Sequence, residues 1–366
     1  MALLLMDGFD SYAPSGTLWN DANMVMAMAR NWDVRSTNNT GALTPIATGR
    51  AGGLAFYAYG DNSYYGYIQR TLAAPAATII LGCSWQAPNT TGNVNFPIFT
   101  LLDSAGTEMG RVYLTASGGQ LVYRNGSGTT ILTTSFTGGF SLNVWYTLEV
   151  KVTAGTTTGY VEIRINGGTV GSASSVNTVG AALTTGAQTL AIGPRAVATA
   201  NFNTEYVDHL IVMDNTGATL NDFQGDRRIV TLTPFGPGTY SQWTPSVTAA
   251  QNWEPVSEAK LDQDTTYNAT STAGNLDSYD LSNLPLASVP VYAVQVSAHV
   301  RQDDTGRQAR LLLRTNNSDQ LVSPATSLNS DYSTRLSALL AQNPATSAAW
   351  MAGDINALEA GIQLTA

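Results

Sequence analysis

Lysine occurs only twice in 366 residues, at Lys151 and Lys260, and the net charge is -9. A protein that binds phosphate backbones needs a basic footprint, so nucleic acid is excluded as a partner, and so is insertion into an anionic membrane. Histidine is as scarce, with His209 and His299 alone. That leaves too little material for a zinc site or a histidine-based triad, and both fall within β-prone runs, where a structural role is expected. The single cysteine, Cys83, cannot form an intrachain disulfide; in TIILGCSW it alternates with apolar residues and reads as a small buried hydrophobe. No G-x-x-x-x-G-K-[ST] loop is present to cradle phosphate. The opening run MALLLM is short and has no basic flank, so neither a signal peptide nor a membrane span is expected. Charged residues make up 12%, about half the roughly 25% usual in soluble proteins.

What replaces charge is glycine, serine, threonine and asparagine between short apolar runs. The stretch Asn143 to Gly167, NVWYTLEVKVTAGTTTGYVEIRING, has Tyr146, Leu148, Val150 and Val152 on one face of a strand. Val161, Ile163 and Ile165 form the matching face of the next, a strict period of two. The opposite faces carry Glu149, Lys151, Glu162 and Arg164, expected to pair across the strands and fix register. Asn166-Gly167 then supplies the positive φ values of a tight turn. From Ala76 to Phe136 the runs ATIILGCSW, FPIFTLLD, RVYLT, QLVYR and TTILTT are separated by glycine-containing turns. Leu3 to Phe9, Leu54 to Tyr59, Tyr64 to Thr71, TLAIGPR and TEYVDHLIVMD add further strands; LWNDANMVMAMARNWDV fits a strand or a short helix. Short strands at this spacing predict an all-β antiparallel sandwich.

The pattern begins again around Asn221 to Thr233, which divides the chain into a domain of residues 1–222 and a smaller, mainly β domain of residues 223–366. In the second, strands are expected at Arg227 to Thr233 and Gly238 to Trp243. VYAVQVSAHVR and RQARLLLRT are expected to form a hairpin around Asp303-Asp304-Thr305-Gly306. AAWMAGDINALEAG reads as a short C-terminal helix, with Gly361 as its left-handed C′ residue, before a strand GIQLTA.

The pattern W-Y-x-L-x-V followed by alternating Val/Ile and N-G resembles the central hairpin of concanavalin A-like and laminin-G-like jelly rolls. Further stretches, LLLMDGFDSY, GRAGG, GDRRIVTLTPFGPGTYSQWTPS, LDQDTTYNAT and NPATSAAWMAGDINALEAGIQL, resemble structural proteins of tailed-bacteriophage virions. The resemblance implies a non-enzymatic virion component, made in the host cytoplasm, in the tail, tail tip or fibre and serving assembly or host adsorption. A capsid-decorating protein is the alternative location. Its implied partners are other virion proteins and further copies of itself, with three-fold symmetry common among such parts. A glycan-binding module or a polysaccharide-cleaving enzyme is the alternative function.

Glycoside hydrolysis needs two carboxylates roughly 5–10 Å apart across a cleft. Glu162 has no acidic residue at i±2 or i±4, and Glu205 and Asp208, three apart, belong on opposite faces of a regular strand. No catalytic residue is therefore assigned. Sugars stack on aromatic faces, and Tyr57, Tyr59, Tyr64, Tyr65 and Tyr67 fall within eleven residues. They are the candidates for contact with a host-surface glycan or a partner subunit. No cofactor is expected; Asp214, Asn215 and Asp222 could offer oxygen ligands to calcium, although Asx turns explain them as well. Arg227-Arg228 reads as an ion pair with Asp226 or Asp222.

Overall fold

Val150 lies opposite Ile163 on one side and opposite Leu81 on the other, so the alternation at 143–167 becomes the middle of a sheet. The computed structural model describes all residues except 1–2, 13–27, 30, 38–45, 61–62, 64, 90–94, 116–118, 137–138, 142, 181–185, 196–202, 249, 259–260 and 286–287. The chain forms two compact units, one of residues 1–10, 14–21 and 31–229, the other of residues 11–13, 22–30 and 230–366. Most of the methionine-rich stretch lies outside the described residues; Met28 is helical and buried.

The first unit is a jelly-roll β-sandwich. Its strands begin with β1 (Leu3–Asp7), β2 (Val34–Thr37), β3 (Ile46–Thr48), β4 (Leu54–Gly60) and β5 (Tyr65–Ala76). Next come β6 (Thr78–Asn89), β7 (Phe96–Leu102), β8 (Glu108–Leu114), β9 (Leu121–Asn125) and β10 (Thr130–Thr133). The last five are β11 (Trp145–Thr153), β12 (Gly159–Ile165), β13 (Gly168–Val176), β14 (Ala187–Ile192) and β15 (Asn203–Met213). Hydrogen bonds connect them in the order β10-β9-β8-β7-β14-β5-β4-β15-β6-β11-β12-β13, with β1 on β15, β2 on β5 and β3 on β4. The path turns at the β4–β5 corner, where Tyr59 pairs with Gly66 and Gly60 with Tyr65.

Alternation sends one face of each layer inward. Trp85, Leu148, Val150, Ile163, Val207 and Val212 come from one layer, and Phe99, Leu101, Val112, Tyr123, Leu190 and Ile192 from the other, each at most 3% exposed. Burial of each such side chain contributes about 1.5–3 kcal/mol against its exposure. Asn166 and Gly167, at φ 50° and 80°, close the turn between β12 and β13. On β15 the expected alternation fails. His209 takes φ 52° and register slips between Asp208 and Ile211, so the inward set passes from Glu205 and Val207 to Leu210 and Val212. One inserted residue reverses the phase of a strand.

The outer faces of β11 and β12 differ from expectation. Glu149 and Arg164, and Lys151 and Glu162, do stand opposite each other. Their charges are satisfied elsewhere, because residues 221–229 run across this face as a strap. The Glu149 carboxylate, 2% exposed, accepts the backbone N–H groups of Gln224 and Gly225, both at 2.7 Å. Lys151 pairs with Asp222 at 3.1 Å, and the Arg164 guanidinium lies 3.9 Å from the Phe223 ring centroid while its Nε pairs with Glu162 on its own strand.

In the second unit an antiparallel sheet runs in the order Pro234–Ser241, Leu276–Leu281, Glu359–Leu364, Gln308–Thr315, Ser318–Leu321. Val296, Leu311, Leu313, Trp350, Ile355 and Leu358 make its core. Residues 227–233 are not a strand. The expected hairpin is also replaced: Ser297–Val300 pairs with Ser333–Leu336, while Gln308–Thr315 turns through Asn316-Asn317, φ 51° and 57°, onto Ser318–Leu321. The helix is a single turn, Ala352–Asn356. Gly361 is not its C′ residue but a strand residue, where an added Cβ would meet the Asp277 carbonyl oxygen at 2.1 Å.

Candidate functional site

Four strands of one layer put a row of side chains on the face away from the core. Tyr57 on β4 is opposite Tyr206 on β15, Tyr206 is opposite Gln86 on β6, and Gln86 is opposite Trp145 on β11. Their strand neighbours Phe56, Val207, Trp85 and Tyr146 fill the interior, so the period of two forces these four outward. The Tyr57 and Tyr206 rings are 5.0 Å apart, and Trp145 reaches over the intervening strand to within 6.3 Å of Tyr206. All four side chains are half-buried. Burial, then the neighbouring Tyr206, pushes the Tyr57 phenol up to about 12, and burial raises Tyr206 as well. Both hydroxyls therefore remain protonated donors at neutral pH. Three aromatic faces, two hydroxyls and an amide within one row form a surface suited to a sugar ring.

The next row along the same face is closed by the GRAGG turn. Asp208, fully buried, accepts the Arg50 N–H at 2.9 Å, and Asp10 accepts the Leu54 N–H at 2.8 Å, so two carboxylates hold the backbone of the turn Arg50–Gly52. The Arg50 side chain donates to Ser84 Oγ at 2.9 Å and grips Asp226 of the strap. Asp7, also buried, accepts from Phe9 N–H, Asn31 and Trp32 Nε1. These acids are structural: each accepts from main-chain N–H groups or core side chains.

Glu205 is the exception. It points inward, 1% exposed, accepts Trp85 Nε1–H at 2.8 Å through one oxygen, and leaves the other buried with no hydrogen-bond partner among the described residues. Burial pushes its carboxyl up to about 8, against the opposing effect of the Trp85 hydrogen bond. Asp208 lies on the other side of the strand, so these two acids do not share a cleft. His209 Nδ1 accepts the Ile229 N–H at 3.4 Å, while Nε2 is buried with no hydrogen-bond partner among the described residues. It lines a cavity of about 10 Å³ with Gly82, Thr147, Gln224 and Gly225, room for one water.

The tyrosine segment is split by the β4–β5 corner. Tyr57 joins the aromatic row. Tyr59 is fully buried, which corrects its expectation as a contact residue: its ring packs against Gly66, where no Cβ intervenes. Tyr65 and Tyr67 stack on each other at 6.2 Å on β5, with Arg195 5.9 Å from the Tyr67 ring. Tyr64 lies outside the described residues. Sequence reasoning missed Tyr206, Trp145 and Gln86, which are far apart in the chain and become neighbours only through strand register.

The Asp214 carboxylate accepts from Thr216 N–H and Oγ1 at 2.8 and 2.6 Å, an Asx turn, and Asn215 is exposed. Asp222 and Asp226, expected to pair with Arg227-Arg228, bond Lys151 and Arg50. Among the described residues no three His, Cys, Asp or Glu side chains cluster as a metal set. In the second unit His299 stacks on Tyr332 at 5.0 Å, Arg301 pairs with Asp264, and the buried Asp277 accepts from Asn252, Asn268 and Tyr279. The Asp277 contacts tie the irregular segments around Asn252 and Asn268 to the sheet.

No family model matches the chain, and no curated protein does. Solved structures are similar in part. An alginate lyase, Aly36B, matches with 12% identity and a TM-score of 0.38 over 58% of this chain and 98% of its own. An endo-β-1,4-glucuronan lyase from the fungus Trichoderma reesei matches at 13% and 0.36, over 50% and 90%. A cellulose-induced protein, Cip1, matches at 12% and 0.33, over 49% and 84%. The likeness is one of architecture, and no residue role passes across it. It nonetheless corrects the expectation of a non-enzymatic protein, since similar jelly rolls include lyases. The requirement for paired carboxylates applies to hydrolysis alone. The comparisons lend the phage-virion resemblance no support.

Proposed function

We propose that the first unit binds carbohydrate through Tyr57, Tyr206, Gln86 and Trp145, and that the protein serves adhesion. The observation that carries this reading is the half-buried aromatic row on the solvent face of the sheet, a place where strands usually present polar side chains. Each ring is anchored by its strand, so stacking a sugar orders little that is not already ordered. The stretches similar to tailed-phage proteins supply the setting: a tail, tail-tip or fibre subunit, assembled as a homo-oligomer, that contacts a host-surface glycan.

Glycan-array screening of the whole protein tests the binding reading. Tyr206→Ala and Trp145→Ala are each expected to weaken the best neutral glycan by about tenfold, within the range for loss of an aromatic contact. Binding that survives both changes, or no binding to any glycan, overturns it. Mass spectrometry of purified particles tests the setting, and absence from intact virions removes it.

A further inference from the structure

Arg111 on β8 and Arg124 on β9 stand directly opposite each other. They belong to a row that crosses the other layer through Gln69, Ala191, Thr100, Arg111, Arg124 and Thr130. The strand neighbours Ile68, Ile192, Phe99, Val112 and Tyr123 are buried in the interior, so this row faces away from it; Ala191 and Thr100 in the middle of the row are covered as well, at 0% and 3% exposed, which leaves Arg111, Arg124 and Thr130 as its accessible end. Both arginines are half-buried.

Like charges placed opposite each other destabilise an antiparallel pair. Here one acid offsets the cost, Glu108, which forms an ion pair with Arg111 alone. Glu108 lies 2.8 Å from Arg111 Nε but without hydrogen-bond geometry. Arg124 has no ion pair among the described residues, and its Nε is buried with no hydrogen-bond partner. A guanidinium held this way, beside another, is poised for an anion from outside the chain. Strands lie about 4.8 Å apart, so the two forks can engage acidic groups on successive or nearby units of one polymer.

We infer that the Arg111–Arg124 pair is a binding site for an acidic polysaccharide, taking its carboxylate or sulfate groups. The net charge of -9 disfavours nucleic acid, whose binding would need a broader basic surface than these few arginines. The site lies on the opposite layer from Tyr206 and Trp145, so it stands or falls independently of the neutral-glycan reading.

The experiment measures binding of the full chain to polygalacturonate, dextran sulfate, neutral dextran and single-stranded DNA by calorimetry at two salt concentrations. Binding to one or both acidic polysaccharides is expected, weakened by salt, and the relative affinities say whether carboxylate or sulfate is preferred. Arg124→Gln and Arg111→Gln should each lower that affinity by about tenfold or more, as for loss of a charge-assisted hydrogen bond. Tyr206→Ala should leave it unchanged. Thermal melts separate this role from a structural one: Arg124→Gln should not lower the melting temperature, since it removes like-charge repulsion and no ion pair among the described residues. The inference is overturned by failure to bind either acidic polymer, by equal or tighter binding of DNA, by affinity indifferent to both changes, or by a melting temperature that falls in Arg124→Gln.

Discussion

Asp226 accepts both terminal nitrogens of Arg50, at 2.5 and 2.8 Å, across 176 residues of sequence. The pair fastens the strap to the GRAGG turn, whose own backbone is held by Asp208. Asp226 is 49% exposed on its side chain and Arg50 21%, so solvent screening limits the pair to about 1 kcal/mol or less. Its effect is expected to be local. Asp226→Asn should speed amide exchange at Gln224 and Gly225 while shifting the global unfolding midpoint only slightly; unchanged exchange there would show that Glu149 alone secures the strap.

Truncation tests the strap more severely. A fragment of residues 1–229 keeps the Phe223 ring under Arg164 and both N–H bonds to Glu149; a fragment of residues 1–222 loses them and leaves a carboxylate that is 2% exposed in the intact protein. Loss of partners from a buried charged acceptor costs on the order of 1–3 kcal/mol. The longer fragment should unfold cooperatively at higher urea than the shorter one. Equal midpoints would mean that water replaces the strap at no cost.

Glu205 makes stability fall as pH rises from the acid range through neutrality. Its folded-state carboxyl titrates at about 8, far above an ordinary glutamate, because burial disfavours the charge. The stability it permits is complete below about 4.3, the unfolded value, and declines as pH rises toward 8. Glu205→Gln keeps an acceptor for Trp85 Nε1–H and should flatten urea-unfolding stability between those limits. A slope identical to that of the unchanged protein would contradict the assignment.

His209 acts in the opposite direction. Burial, and then the nearby Arg50 and Arg228, press it down to about 4, so the ring is neutral when folded. Stability linked to it is full above about 6.5 and is lost as pH falls toward 4. His209→Asn tolerates the left-handed φ of 52° and can still accept from Ile229. It should reduce the difference in unfolding midpoint between pH 7 and pH 5. A difference that persists would assign the acid sensitivity elsewhere.

Much of the fold was legible because the strands of the first unit obey a period of two, from Tyr146 to Ile165 above all. What the pattern hid was set by events without local signature. The bulge at His209 moved the inward set of β15 by one residue, and the strap turned Glu149 from an expected surface charge into a buried acceptor. In the second unit, Asp303-Asp304-Thr305-Gly306 looked like the hairpin turn, yet Asn316-Asn317 makes it, since asparagine also tolerates positive φ. The aromatic row was invisible for a different reason. Tyr57, Tyr206 and Trp145 are brought together by register between strands distant in sequence, which no single stretch encodes. The tyrosine run that did stand out spans a corner, so its members face different ways.

The strap also decides how the first unit would meet mechanical load. Tension applied at Ile229 reaches the bonds of residues 221–229 before the strands beneath, and these bonds open one after another as the segment is peeled away. Nine residues drawn straight lengthen the chain by roughly 30 Å at about 3.3–3.6 Å each. A single molecule pulled from that point should yield a first, low-force extension of about this size while the sandwich holds, a built-in slack ahead of rupture.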